Sequence, residues 1–207
     1  MSSPGPRSAA SLTVTIACEG PTDAAVLIRL LSWLDIEAAA QPYIQGGKGK
    51  LDKKLRAYNE AARYAPWLIV RDLDSDSRCA PEVARSLIPE PSAKMCFRLA
   101  VRQIEAWLLA DRVGTAEFLS INANLIPTSP DSLANAKAEL IRLAGRGRSR
   151  NVRTALLPVA GSTQQVGQEH TARLVEFASR IWDPGRAIEV SPSLASCSAA
   201  LHRLKLS

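Results

Sequence analysis

Histidine is nearly absent from this chain, whose 207 residues include only His170 and His202. Neither has an acidic or nucleophilic neighbour in a recognisable pattern. A histidine-based mechanism is therefore not expected, and both are read as surface or core residues. Cysteine is also scarce, and Cys18, Cys79, Cys96 and Cys197 show no C-x-x-C spacing. That scatter argues against a zinc framework or a disulfide scaffold and fits a reduced, cytoplasmic setting. No apolar run is long enough to cross a membrane. The first dozen residues are rich in Ser, Pro and Ala and carry Arg7, which superficially suggests a signal peptide before Cys18. Thr13 and Thr15 interrupt the apolar stretch, so residues 1–11 are read as a disordered tail. No internal repeat is visible.

Charge is present in moderate excess. The 26 Lys and Arg against 20 Asp and Glu give +6, with a pI near 9.4. The positives gather at Lys48, Lys50, Lys53, Lys54 and Arg56, and again at Lys137, Arg142, Arg146, Arg148, Arg150 and Arg153. Such clusters release counterions from a phosphate backbone, which makes nucleic acid a candidate partner. Lys48, Lys50, Arg102, Arg146, Arg148 and Arg150 are the expected contacts. The alternative is that these runs are solvated helix faces and a basic loop.

Apolar spacing along the first half alternates between strand and helix periods. Strands are expected over residues 12–18, 43–44, 67–72 and 95–101, and helices over 23–34, 50–64 and 81–87. Pro66 stops the long basic helix. This βαβα order predicts an α/β fold, a parallel sheet with flanking helices over residues 12–112. Beyond it, helices are expected over 102–111, 115–120, 131–143 and 171–182, and Ser191-Pro192 opens a last one. Residues 145–150 read as a basic loop. Residues 113–207 therefore form a helical C-terminal extension packed on the core.

The chemistry lies where strands run into acidic turns. Trp67-Leu68-Ile69-Val70-Arg71-Asp72-Leu73-Asp74-Ser75-Asp76 is an apolar strand ending in alternating carboxylates. Residues two apart on an extended chain point the same way, so Asp72 and Asp74 are expected to converge. At about 4 Å and an effective dielectric near 20, their repulsion is roughly 4 kcal/mol unless a cation fills the gap. The alternative has them capping the next helix and pairing with Arg71 or Arg78. A calcium loop is excluded because Ser77 and Val83 stand where glycine and a bidentate glutamate belong. Glu19, in Cys18-Glu19-Gly20-Pro21-Thr22-Asp23, ends the first strand. Ligands of open parallel sheets sit beyond such strand ends, so Glu19, Asp72 and Asp74 point to a magnesium-type site. Asp23 is either a ligand or a first-turn charge favoured by the helix dipole. Glu105 lies on the apolar side of its helix and needs a partner, either a second metal position or Arg102. Gly46-Gly47-Lys48-Gly49-Lys50 has the wrong spacing for a phosphate loop, with Leu51 in place of Ser or Thr. With histidine so scarce, metal-activated water is the natural nucleophile.

Glu19-Gly20-Pro21-Thr22-Asp23 followed by Asp72-Leu73-Asp74 resembles the acidic signature of the Toprim (topoisomerase-primase) fold. Asp23 and Glu105-Ala106-Trp107-Leu108-Leu109-Ala110-Asp111 make the chain look closest to relatives of the overcoming-lysogenization-defect nucleases and to an uncharacterised bacterial family of small Toprim-like proteins. The resemblance implies a four-stranded parallel core and phosphodiester chemistry dependent on Mg²⁺ or Mn²⁺. Glu19 would serve as ligand or general base, Asp72 and Asp74 as ligands, and Asp23 and Glu105 at a second metal. Lys137 matches a lysine that stabilises transition-state charge. The expected substrate is nucleic acid, DNA ahead of RNA, in phage defence or a mobile-element cluster, with ATP-driven control from a separate ATPase. Topoisomerase activity is not expected, because Tyr43, Tyr58 and Tyr64 lie in the sheet region. The alternatives are a non-catalytic nucleic-acid-binding or regulatory partner of an ATPase, and a small-molecule phosphatase or nucleotidyl-transfer enzyme. Assembly into an oligomer is left open.

Overall fold

A computed structural model describes residues 12–76, 79–159 and 161–206. The tail expected over residues 1–11 lies outside the described residues. Strand β1 is Thr13–Cys18, and its alternation sends Val14, Ile16 and Cys18 into one apolar cluster and Ala17 into another. Helix α1, Pro21–Trp33, starts on a proline whose missing N–H would be unpaired there anyway. Two short strands, β2 (Glu37–Ala38) and β3 (Tyr43–Ile44), then lie along one edge of β1, pairing with residues 13–14 and 17–18. Helices α2 (Lys48–Asp52) and α3 (Leu55–Ala61) lead to β4 (Trp67–Asp72) on the other edge of β1. Helix α4 (Ala80–Leu87) and β5 (Met95–Ala100) complete the sheet.

Every strand pairing is parallel. The order is β2-β1-β4-β5 with β3 also on β1, so five strands fill four columns. The four-stranded core implied by the sequence becomes five because the edge strand breaks between Ala38 and Tyr43. Helices alone follow: α5 (Ile104–Ala110), α6 (Arg112–Leu119), α7 (Ala136–Ala144), α8 (Arg150–Leu156), α9 (His170–Arg180), α10 (Pro184–Val190) and α11 (Pro192–Leu206). Single 3-10 turns occur at Ala123–Leu125 and Pro130–Ser132.

Several boundaries differ from the sequence expectation, for local reasons. The basic helix over 50–64 is two helices, α2 and α3. The helix expected from Asp131 begins at Ala136, where Asn135 caps it by accepting the Ala138 N–H at 2.8 Å. The basic loop ends early because Ser149 caps α8. Helix α10 was not expected. Its start combines Asp183, which accepts the Arg186 N–H at 3.1 Å, with Pro184 in the first turn.

The two sheet faces carry different layers. Leu68 and Val70 face the larger apolar cluster, while Trp67 and Ile69 face the smaller one beside α2 and α3. By the same period-2 rule Asp72 belongs to the larger-cluster face and Arg71 to the other. The larger cluster runs from Val14 to Leu201, so the C-terminal helices complete the core of the α/β half. Two fully buried tryptophans tie them to it. The Trp182 indole donates to the Trp107 carbonyl at 3.0 Å, and the Trp107 indole donates to Ser193 Oγ at 2.7 Å. Burying one such ring stabilises by roughly 4–6 kcal/mol at about 25 cal/mol per Å². No helix among the described residues is long and apolar enough to cross a membrane.

Candidate metal centre

Because β1, β4 and β5 are parallel, their carboxyl ends open on one side. A cavity of about 310 Å³ lies there, lined by Glu19, Asp23, Asp72, Glu105, Lys137 and His170, with the Gly46-Gly47 turn at its rim. Glu19 directly follows β1 and Asp72 is the last residue of β4. Glu19 Oε1 accepts the Asp72 N–H at 2.8 Å, and Asp72 Oδ1 accepts the Ile104 N–H at 2.9 Å. These two bonds join the end of β1 to β4 and the end of β4 to the start of α5. The Gln103 side chain accepts the Lys137 N–H at 3.1 Å, which brings α7 to the same place. Lys137 Nζ then lies 3.3 Å from Glu105 Oε1. Glu105 is thus ion-paired with Lys137, while the Arg102 guanidinium donates to the Asp74 carbonyl at 2.8 Å.

Among the described residues, four carboxylates therefore share one cavity with a single ammonium. Burial first, then Asp23, Glu105, Glu19 and Asp74, hold the Asp72 carboxyl well above its ordinary value. Burial pushes Asp23 up to about 7, with Glu19 and Glu105 adding to it. Glu19 is raised chiefly by burial, against the lowering effect of its bond from Asp72. Burial works against the Lys137 ammonium, but Glu105, Asp72 and Asp23 outweigh it and raise its pKa. Asp23 Oδ1 and Glu105 Oε2 are buried without a hydrogen-bond partner. Each such orphan acceptor costs about 1–3 kcal/mol. A set of hard oxygen donors with excess negative charge fits Mg²⁺ or Mn²⁺. Among the described residues, no three His, Cys, Asp or Glu side chains already stand at ligand spacing. Mutual repulsion of like charges, roughly 4 kcal/mol at 4 Å, opposes their convergence until a cation reverses its sign.

Asp74, expected to share the site with Asp72, is not among the residues that line the cavity. Strand β4 ends at Asp72, and Asp74 takes a left-handed backbone with φ 51°, so the alternation is lost. Its carboxylate meets Lys48 Nζ at 2.9 Å, and the same ammonium holds Asp76 at 2.9 Å. Arg71, only 3% exposed, grips Asp52 through bonds of 2.8 and 3.0 Å and Asp76 at 2.6 Å. The Gly46 and Gly47 N–H groups donate to the Glu19 carbonyl at 2.8 and 3.2 Å. Their φ values of +72° and +118° suit glycine, and the turn delivers Lys48 to the aspartates. Lys48 is thus engaged inside the protein. Lys50, Arg146, Arg148 and Arg150 are exposed. The three arginines follow the far end of α7 from Lys137, on the order of 14 Å away at 1.5 Å per residue.

His170, read from the sequence as a surface or core residue with no role in the site, is buried. It opens α9, is 5% exposed, lines the cavity, and its Nε2 has no hydrogen-bond partner. Burial and the Lys137 charge push its pKa down to about 4. His202 is exposed on α11. Compared with protein families, curated proteins and solved structures, the chain matches none.

Proposed function

We propose that this chain is a Toprim-type phosphodiester hydrolase that acts on nucleic acid with the help of a divalent cation. One observation carries the reading: carboxylates from successive strand ends share a cavity with too little positive charge to balance them. Glu19 and Asp72 would hold the cation with Asp74 at the margin, and Asp23 and Glu105 would serve a second position. When bound, Mg²⁺ or Mn²⁺ supplies charge neutralisation and a water of lowered pKa. The chain's own groups do the rest. Glu19, oriented by the Asp72 N–H, accepts a proton from the attacking water, and Lys137 offsets charge growing on the phosphoryl oxygens. Lys50, Arg146, Arg148 and Arg150 are free to neutralise backbone phosphates of DNA or RNA. ATP-driven control would come from a separate ATPase.

The test is cleavage of plasmid, linear DNA and RNA in Mg²⁺ or Mn²⁺ by the wild type and by Asp72→Asn. Cation-dependent cleavage by the wild type alone is expected; equal rates would sink the proposal. The cavity itself favours a second reading. At about 310 Å³ it is at the small end of ligand pockets and suits a single phosphate ester. Turnover of nucleotides or model phosphate esters without any polymer cleavage would select a small-molecule phosphatase or nucleotidyl-transfer enzyme.

A further inference from the structure

Three of the buried polar atoms without a partner share the cavity just described: Asp23 Oδ1, Glu105 Oε2 and His170 Nε2. The residues come from α1, α5 and α9 and are 6%, 3% and 5% exposed. Each bears a lone pair suited to a cation. A water could donate to two of these atoms, but it would leave the negative charge of the carboxylates unbalanced. Tyr58, Arg98, Arg112 and Arg173 also hold unpartnered buried atoms, but none of them lines this cavity.

We infer that His170 Nε2 joins Asp23 and Glu105 as the ligands of the second cation position, and that this mixed nitrogen–oxygen set selects Mn²⁺ over Mg²⁺. The inference rests on the divalent-site reading above and names the metal class and the extra ligand. Imidazole suits borderline transition metals, whereas Mg²⁺ favours oxygen donors and keeps its waters. A neutral imidazole is the ligand form, and the buried Nε2 of His170 has no competing hydrogen-bond partner. Lys137 holds Glu105 Oε1, which leaves Oε2 as the oxygen that would take the cation.

Because the chain has only two histidines, the assignment can be made by spectroscopy on the full-length, tag-free protein. Mn²⁺ is titrated by electron paramagnetic resonance, and pulsed measurements on the bound ion read the nitrogen coupling of a coordinated imidazole. The coupling is expected in the wild type and in His202→Asn, where His170 is the only histidine left. In His170→Asn it disappears, and Mn²⁺ affinity falls at least about tenfold while Mg²⁺ affinity changes less. Bound Mn²⁺ without imidazole coupling in the wild type and in His202→Asn overturns the inference whether or not the His170 variant folds, and leaves the carboxylate reading standing. No saturable Mn²⁺ binding overturns both. Imidazole coupling without cleavage of any nucleic acid supports the inference and removes the hydrolase reading.

Discussion

Two acidic clusters lie side by side at the carboxyl end of β4 and differ in charge balance, with three carboxylates to two cations in one and four to one in the other. On one sheet face Asp52, Asp74 and Asp76 are held by Lys48 and the buried Arg71 in contacts of 2.6–3.0 Å. In the second, among the described residues, Lys137 is the one ammonium that lines the cavity with Glu19, Asp23, Asp72 and Glu105. The pKa shifts follow. Lys48 and Arg71 lower Asp76, whereas burial and mutual repulsion raise Asp72, Asp23 and Glu19. The first cluster is complete as folded and serves to pin α2 to the strand end. The second keeps the larger excess of carboxylate, with Asp23 Oδ1 and Glu105 Oε2 unpartnered.

The sharpest separation is expected in catalysis. Asp72→Asn should lower cation-dependent cleavage by about 10²–10³-fold, while Asp76→Asn should leave kcat within a few-fold. Steady-state assays on one nucleic-acid substrate measure both. Comparable losses from the two variants would erase the distinction. In stability the signs should invert. Asp52→Ala removes two bonds to a buried guanidinium and should destabilise by about 2–3 kcal/mol. Asp23→Asn removes a buried carboxylate whose Oδ1 has no partner and should raise the stability of the cation-free protein at pH 8 by on the order of 1 kcal/mol. Urea unfolding in a chelator reads both.

Acid titration separates the clusters by window. Asp23 binds its proton up to about pH 7 when folded but only to about 3.8 when unfolded. Between those values the native state holds more protons at Asp23, so this group's contribution to cation-free stability should fall as pH rises from about 4 to 7. His170, pushed down to about 4, contributes the opposite slope below about 6.5, so the Asp23 limb is read as the difference between wild type and Asp23→Asn. Asp76 has a lowered pKa, so its contribution is present above its ordinary value and is lost as pH falls below about 4. Thermal melts across pH 3–8 in a chelator check both limbs. The smallest effect is expected at the exposed loop. Substituting Arg146, Arg148 and Arg150 together by Gln should reduce the salt slope of nucleic-acid binding by about 2–3 while leaving cation affinity unchanged.

Much of the frame was legible because it is local. The alternation of Val14, Ile16 and Cys18, and of Leu68 and Val70 against Trp67 and Ile69, announces buried strands whatever surrounds them. The placement of Glu19 and Asp72 at strand ends follows from that reading. What escaped depends on contacts between distant segments. Glu37–Ala38 is a strand only because β1 offers it an edge. Asp74 looked equivalent to Asp72 by parity, but the strand stops first and Lys48 claims it. His170 carries no local signal, and its place at the cavity results from α9 packing on α1. Helix α10 was hidden by Pro184-Gly185, which reads as a breaker until Asp183 is seen to cap the turn.

Whether the cavity of Glu19, Asp23, Asp72 and Glu105 holds a divalent cation is read most directly by calorimetric titration of Mg²⁺ at pH 7.5 in buffers of different ionisation enthalpy. The prediction is saturable binding, accompanied by release of less than one proton from Asp23, whose pKa is raised to about 7, with binding lost in Asp72→Asn and intact in Asp76→Asn. Absence of saturable binding, or equal binding by wild type and Asp72→Asn, would contradict it.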